Sequence, residues 1–283
     1  MVSKTVYAVI ILTLIVIGVW ALCVFPLHKS YHLPKIVWTH WDTEDLPPLC
    51  RLNLERTRRV LHDWDVRFFT DKGFAAMCPS GDLPPNFDTL SKAHKADFMR
   101  LWLLKQHGGV WMDSGIILNT SLNEMHRSCI TEQAECAGFY IEGTTTDMRW
   151  PVFENWFIMA PQGSRVIRSW FDEYYKAVSI GFSTYKAAAK GDGVHFHKLL
   201  QDEGDVYLTQ HLCFQKVIQQ KVRNPKILYH RAEDSMFKIH ADCNWDGDCM
   251  ASAFRLTDLT AIPYIKLRGV DRTLFPLTYF AQH

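Results

Sequence analysis

The stretch Lys95-Ala-Asp-Phe-Met-Arg-Leu-Trp-Leu-Leu104, followed by Gly108-Gly-Val-Trp-Met-Asp-Ser-Gly-Ile-Ile-Leu118, decides the fold prediction. Apolar residues recur at helical spacing in the first part, and the two glycines supply the left-handed cap that ends the helix. The second part predicts one buried strand that carries Asp113 in its middle. Because a carboxylate among apolar neighbours is costly unless it is paired or binds a ligand, we expect Asp113 to have a partner.

On either side of this stretch, strand and helix patterns alternate. Strands are predicted at residues 35–39, 65–70 and 156–160. Helices are predicted at residues 49–62, 164–175 and 207–220, and Ser91 and Ser164 are predicted N-caps. This alternation predicts an α/β fold, a mostly parallel Rossmann-like sheet with flanking helices. Ligands of such sheets bind beyond the carboxyl ends of the strands, where Thr39, Trp41 and Asp113 are expected.

An uncharged run of 20 residues, 6–25, is long enough to cross a hydrocarbon core about 30 Å thick. It predicts an N-terminal transmembrane signal anchor. The predicted order is a cytoplasmic tail (1–4), the anchor (5–27), a short stem (28–33) and one folded domain (34–283). A cleaved signal peptide is the alternative, because Ala21-Leu-Cys23 resembles a small-residue cleavage site.

The charge balance excludes one class of partner. The chain has 31 basic and 30 acidic residues, a net charge of +1, so it lacks the one-sided basic field that nucleic-acid binding requires. The hydrophobic content of 48% is enough for a large single domain with a proper core.

The spacing of the cysteines indicates an oxidising compartment. The close pairs Cys129/Cys136 and Cys243/Cys249 suit disulfides in a secretory lumen. Cys213, which lies between leucine and phenylalanine, is expected to be a buried free thiol. A cytosolic protein with reduced cysteines is the alternative.

Three blocks of sequence carry a resemblance to a known family. They are Pro34-Lys-Ile-Val-Trp-Thr-His-Trp-Asp42, residues 96–113, and Glu154-Asn-Trp-Phe-Ile-Met-Ala160, with a weaker match at Tyr264-Ile-Lys-Leu267. The first is similar to the family's first strand, and the second matches its Ser/Ala-Asp-x-x-Arg and Gly-Gly-x-x-x-Asp signature. Through them the chain resembles the capsular polysaccharide synthesis family of glycosyltransferases, related to larger Asp-x-Asp transferases such as yeast-type initiating mannosyltransferases.

The resemblance implies a GT-A fold, a nucleotide-sugar donor and a glycan or polysaccharide acceptor. It implies catalytic roles for Asp97, Arg100, Asp113 and Glu154, with Asp113 at the donor diphosphate; an ordinary strand-edge acid is the other interpretation of Glu154. The implied nucleotide-sugar-binding residues are Trp38, Thr39, Trp41, Ser114, Gly115, Lys266 and Arg268. Lys266 and Arg268 are the candidate clamps for the negative charge of the leaving diphosphate.

The chain departs from its larger relatives at one point, because Asp113-Ser-Gly115 stands where they carry Asp-x-Asp. Only one carboxylate is therefore available there to a Mn²⁺ or Mg²⁺ cofactor, and donor phosphates and water are expected to supply most other ligands. His211 is a further candidate ligand. Gly115 is expected to let a phosphate or sugar approach the backbone, and Ser114 to donate a hydrogen bond.

These patterns together predict a single-pass type II membrane protein whose catalytic domain lies in the Golgi or endoplasmic-reticulum lumen. It is expected to transfer a sugar with retention of configuration. One alternative is a catalytically inactive relative that binds a sugar nucleotide or glycan. Another is a glycoside hydrolase, which uses two carboxylates and no nucleotide, so nucleotide binding distinguishes it.

Overall fold

Strands and helices alternate along the chain, as the sequence predicts. The computed structural model describes residues 31–202 and 206–282. The strands are β1 (Ile36–His40), β2 (Asp65–Phe69), β3 (Gly109–Met112), β4 (Ile116–Leu118), β5 (Cys136–Tyr140), β6 (Phe153–Ala160), β7 (Ile227–Arg231) and β8 (Tyr264–Lys266). The helices are α1 (Pro48–Val60), α2 (Asp71–Met77), α3 (Lys92–His107), α4 (Asn123–Glu132), α5 (Arg165–Ile180), α6 (Phe182–Gly191), α7 (Thr209–Lys216), α8 (Lys238–Asp242), α9 (Gly247–Leu256), α10 (Asp271–Leu274) and α11 (Tyr279–Gln282).

The main sheet has six strands in the order β2-β1-β3-β6-β5-β7. Strands β2, β1 and β3 are parallel, β6 is antiparallel to both β3 and β5, and β5 is parallel to β7. The prediction of a mostly parallel sheet is therefore confirmed, with β6 as the one reversed strand of this sheet. A second, two-stranded antiparallel sheet joins β4 to β8.

The predicted single strand around Asp113 is wrong. Strand β3 ends at Met112, and the chain turns at residues 113–115, where the Ile116 N–H donates to the Asp113 carbonyl at 3.0 Å. Strand β4 then enters the second sheet. Apolar residues flank the turn on both sides, so the pattern resembles one strand, although Asp, Ser and Gly are all turn-forming residues.

Helix α3 lies against the main sheet and has the predicted ends. The Ser91 side chain caps it by accepting a hydrogen bond from the His94 N–H at 3.2 Å. Gly108 and Gly109 follow with φ angles of 70° and 97°, which favour glycine. A Cβ on Gly109 would lie 2.6 Å from the Ile36 carbonyl oxygen, so this glycine also lets β3 approach β1.

One predicted disulfide is present and the other is not. Cys243 and Cys249 are bonded, whereas Cys129 and Cys136 are buried free thiols. The Cys129 sulfur packs 3.6 Å from the Met159 sulfur in the core, and burial raises the pKa of its thiol to about 12. The close sequence spacing therefore did not reflect a bonded pair. Cys213 is a buried free thiol, as predicted.

The predicted tail and anchor, residues 1–27, lie outside the described residues. Within residues 31–202 and 206–282, no helix combines the length and apolar character that crossing a membrane requires.

Candidate functional site

A cavity of about 670 Å³ opens at the edge of the main sheet where β1 and β3 end. Trp41 follows β1 and Asp113 follows β3, and both line the cavity. Because β6 runs in the opposite direction, its first residues reach the same edge, and Glu154 and Trp156 also line it. The cavity therefore occupies the position where open α/β sheets bind their ligands.

Asp97 and Arg100, on α3, form a buried ion pair in the cavity wall. Each residue is only 5% exposed, which excludes an ordinary surface pair. Arg100 donates to the Gln210 side chain at 2.7 Å, and Asn155 donates to Asp97 at 3.1 Å. Burial raises the pKa of Asp97, and this effect outweighs the neighbouring Arg100 charge.

Asp113 has the partner that the sequence predicted. Its Oδ2 atom accepts from Lys266 Nζ at 2.8 Å, and its Oδ1 atom accepts from Trp111 Nε1 at 2.9 Å and from Arg100 at 3.4 Å. Burial raises the pKa of this carboxyl, but the charges of Lys266 and Arg100 outweigh burial and leave the pKa below its ordinary value. Asp113 is thus an ionised carboxylate enclosed by cations.

The second sheet places Lys266 beside Asp113. Ile116 of β4 pairs with Lys266 of β8, and the Leu267 N–H donates to the Gly115 carbonyl at 2.8 Å. A Cβ on Gly115 would lie 2.7 Å from the Leu267 carbonyl oxygen. Gly115 is therefore required by the close approach of the chain that carries Lys266.

Glu154 and His211 form a second pair in the cavity wall. Both are buried, and His211 Nε2 lies 3.6 Å from Glu154 Oε2. In the described part of the chain, both ring nitrogens of His211 and the Trp156 Nε1 atom lack a hydrogen-bond partner. A buried polar atom left unpaired costs about 1–3 kcal/mol, so these atoms offer hydrogen bonds to a ligand.

Arg268 is held in place from behind the cavity. Its guanidinium donates to both oxygens of Asp271, at 2.9 and 2.8 Å, and His240 Nε2 lies 2.8 Å from the same carboxylate. His240 and Asp271 are fully buried. Burial raises the pKa of Asp271, but hydrogen bonds from His240 and Arg268 outweigh burial and hold this pKa far below its usual range.

Arg272 also lines the cavity and was not predicted. Its guanidinium lies 5.1 Å from the centre of the Trp41 ring, and it makes no ion pair with a carboxylate of the described residues. Its side chain reaches the turn at Gly115, since its Cδ would lie 3.9 Å from a Cβ there. The four-residue spacing from Arg268 is the one signal in the sequence that points to it.

The structure corrects the expected position of Trp38 and Thr39, neither of which lines the cavity. Trp38 is 1% exposed and donates from Nε1 to the Gly108 carbonyl at 3.0 Å. Thr39 is buried as well. Both lie within β1, whose side chains point into the packed layers above and below the sheet, whereas Trp41 lies beyond the strand end. The other predicted site residues line the cavity together: Trp41, Asp97, Arg100, Asp113, Ser114, Gly115, Glu154, His211, Lys266 and Arg268.

The residues present do not fit a divalent cation held by the protein alone. Both oxygens of Asp113 already accept hydrogen bonds from cations or from indole. Among residues 31–202 and 206–282, no group of three or more His, Cys, Asp or Glu side chains is arranged to bind a metal, so Asp113 and His211 form no such group. Lys266, Arg268 and Arg272 line the cavity near Asp113, and their side chains suit an anionic ligand.

Residues 26–179, more than half of the chain, match the model of a protein family. This family is described as capsular polysaccharide synthesis protein. The chain belongs to this family. The match includes Asp97, Arg100, Asp113 and Glu154, whereas Lys266, Arg268 and Arg272 lie beyond it.

Among curated proteins, this member of the capsular polysaccharide synthesis family is similar to two fungal enzymes. It is 28% identical over 188 residues to O-glycosyltransferase braB of Annulohypoxylon truncatum, a match that covers 59% of this chain and 41% of the relative. It is 26% identical over 184 residues to O-glycosyltransferase PaGT of Phomopsis amygdali, covering 59% and 42%. The matched part thus spans less than half the length of these relatives.

Two solved structures resemble the family member at low sequence identity. One is the galactosyltransferase LgtC in complex with donor and acceptor sugar analogs, with 11% identity, coverage of 87% of this chain and 94% of that chain, and a TM-score of 0.47. The other is a glycosyltransferase involved in glycosylation of the major capsid of PBCV-1, with 9% identity, coverage of 88% and 98%, and a TM-score of 0.44.

Proposed function

We propose that this protein is a GT-A-type glycosyltransferase that transfers a sugar from a nucleotide-sugar donor to a hydroxyl of a glycan or polysaccharide acceptor. One observation carries the proposal: Lys266, Arg268 and Arg272 line a single cavity with the 113–115 turn at the carboxyl edge of the sheet. A leaving nucleoside diphosphate gains negative charge in the transition state, and fixed cations stabilise that charge. Membership of a family whose curated relatives are O-glycosyltransferases supports the same activity.

The roles of the cations follow from their surroundings. Asp113 orients Lys266 through the 2.8 Å ion pair, and Asp271 orients Arg268, so both charges are in place before a ligand binds. Arg272 has no carboxylate to neutralise it in the described residues and packs on Trp41. We assign Arg272 to the diphosphate and Trp41 to the nucleoside.

The transfer reaction needs only the nucleotide-sugar donor and the acceptor hydroxyl. The bond between the anomeric carbon and the diphosphate oxygen breaks, a bond to the acceptor oxygen forms, and the acceptor proton leaves on the nucleoside diphosphate. We propose that configuration is retained and that the Glu154 carboxylate faces the anomeric carbon. The His211 and Trp156 nitrogens, which lack a hydrogen-bond partner among the described residues, then bind hydroxyls of the donor sugar.

A donor screen tests the proposal. The full chain in detergent is incubated with a panel of nucleotide sugars, and released nucleotide is measured. We expect release from at least one donor, and Arg272→Ala to weaken the affinity for the matching nucleoside diphosphate about tenfold. Arg255→Ala, which removes an exposed arginine outside the cavity, is the matched control. Nucleotide binding without release would instead identify a binding protein that lacks turnover.

The stereochemical proposal has a separate test. The anomeric configuration of the product is measured by proton NMR and compared with that of the donor, and Glu154→Gln is expected to lower turnover at least ~100-fold. An inverted product would overturn retention without affecting the assignment of a transferase.

We further propose that residues 6–25 anchor the protein as a type II membrane protein with the domain in the secretory lumen. The uncharged 20-residue run and the Cys243–Cys249 disulfide support this location. Protease protection of the domain in intact vesicles tests it, and digestion while a lumenal marker survives would contradict it. The Asn119-Thr-Ser sequon is a poor reporter, since the Asn119 amide already donates to the carbonyls of Leu259 and Ile262.

A further inference from the structure

The Cys243–Cys249 disulfide closes a short loop between α8 and α9 that holds an unusual backbone conformation. Asn244 and Trp245 have φ angles of 47° and 62°, so two consecutive residues other than glycine occupy the left-handed region. Such a conformation is unfavourable for a residue with a side chain and persists only where the surrounding structure holds it. Three contacts hold the loop here: the disulfide, the Asp246 side chain, which accepts from the Cys249 N–H at 2.8 Å, and the Trp245 N–H, which donates to the His240 carbonyl at 2.7 Å.

The loop presents the Trp245 ring to the cavity. Trp245 lines the cavity and is 40% exposed, which is uncommon for so large an apolar side chain. Its ring is backed on the protein side by Phe237, His240 and Arg268, whose centres lie 5.2, 5.1 and 5.1 Å away. The ring is therefore supported by packing while its outer part faces solvent.

Trp245 packs on Arg268, one of the cations assigned to the donor diphosphate, but its surroundings differ from those of the residues assigned to the donor sugar. Glu154, His211 and Trp156 are buried and carry unpaired polar atoms that suit a hydroxyl-rich donor sugar. Trp245 instead offers a flat apolar surface at an exposed position, where a second substrate can reach it. One face of a pyranose ring consists of C–H groups and packs well on an indole ring.

We propose that Trp245 is the platform on which a hexopyranose ring of the acceptor stacks, and that the Cys243–Cys249 disulfide holds this platform in place. The proposal deepens the proposed function and rests on it. It assigns Trp245 a binding role and the two cysteines a positioning role.

Kinetics with methyl hexopyranosides as acceptors test the platform. In the full chain, Trp245→Ala is expected to raise the KM for the acceptor about tenfold, and by more than the KM for the donor. Trp245→Phe, which keeps an aromatic ring, is expected to recover part of the loss. Leu256→Ala, at an 85% exposed position on α9, is the matched control and is expected to change neither constant. An acceptor KM unchanged in Trp245→Ala would overturn the platform.

The disulfide is tested by the double variant Cys243→Ser/Cys249→Ser. The double variant is expected to raise the acceptor KM as much as Trp245→Ala does. The triple variant, which combines all three substitutions, is expected to show no further increase, because both changes remove the same platform. If the two increases in acceptor KM instead multiply in the triple variant, the disulfide does not act by positioning Trp245. If the Cys variant does not fold, Asp246→Ala, which removes the other support of the loop, gives the same comparison.

The role of Trp245 in binding a sugar can also be tested without measuring turnover. If the wild type releases nucleotide from no donor, saturation-transfer NMR of methyl hexopyranosides on wild type and Trp245→Ala decides the inference directly. Binding by the wild type that is lost in Trp245→Ala supports the platform. Absence of binding, or equal binding by both proteins, overturns it.

Discussion

Lys266 Nζ lies 2.8 Å from Asp113 Oδ2, although 153 residues separate the two in the sequence. The pair joins the end of the main sheet, at β3, to the second sheet, at β8. Lys266 belongs to the part of the chain beyond the family match, whereas Asp113 lies within it. The site is therefore completed by the C-terminal segment, which supplies most of the positive charge in the cavity.

Replacing Asp113 by asparagine tests this relationship. Asp113→Asn leaves Lys266 without the carboxylate that positions it. We therefore expect turnover to fall ~100-fold, which is the loss typical of disturbing a group that stabilises charge in the transition state. Turnover and thermal unfolding are measured together. Asp172→Asn, which removes an exposed carboxylate paired with Lys105, is the control and is expected to change neither. Near-normal turnover in Asp113→Asn would show that Asp113 has only a structural role.

Replacing Gly115 tests the contact between the turn and the chain after β8. In Gly115→Ala the new Cβ would meet the Leu267 carbonyl oxygen at 2.7 Å, so the two segments must separate. We expect the free energy of unfolding to fall by about 2 kcal/mol. Denaturant unfolding measures the change. Gly143→Ala is the control, because a Cβ at Gly143 meets no atom within 4 Å, and an equal loss in both variants would refute the contact argument.

Divalent cations are expected to bind weakly to the protein alone. Asp113 is already enclosed by Lys266, Arg100 and Trp111, and the described residues offer no group of three ligands. Calorimetry of Mn²⁺ binding is compared with and without a nucleoside diphosphate. We expect a measurable signal only in the presence of the nucleotide, whose phosphates supply the missing oxygen ligands. Tight binding to the nucleotide-free chain would refute this.

We expect the free energy of unfolding to fall in acid because of Asp271. Its pKa is lowered in the folded protein, so its contribution to stability is fully present above about pH 5. That contribution is lost progressively as the pH falls through the unfolded pKa near 4 toward the lowered folded pKa. In Asp271→Asn the free energy of unfolding should therefore depend less steeply on pH in this range. The variant should also be about 3 kcal/mol less stable near neutral pH, because the buried His240 and the partly exposed Arg268 lose the carboxylate that they contact. Asp248→Asn, at an exposed position, should retain the wild-type pH slope.

Local patterns were sufficient for much of the fold. Helical spacing, the Ser91 and Ser164 caps and the Gly108-Gly109 pair located α3 and α5, because these signals depend only on neighbouring residues. The turn at Asp113 was missed because apolar residues flank it on both sides and resemble one continuous strand, although they belong to different sheets and residues 113–115 are turn-forming types. The proposed Cys129–Cys136 bond failed for a related reason: closeness in sequence does not determine where a side chain packs.

The sequence by itself indicated that Asp113 needs a partner, because apolar neighbours on both sides predict burial and a buried carboxylate is costly unless it is paired. The family resemblance pointed to Asp97, Arg100 and Glu154, which line the same cavity as Asp113. Only the tertiary structure decided that Lys266 is that partner, that Arg272 joins the cavity and that Trp38 and Thr39 do not. These outcomes depend on the pairing of β4 with β8 and on the direction of each side chain from its strand, which are settled by long-range packing.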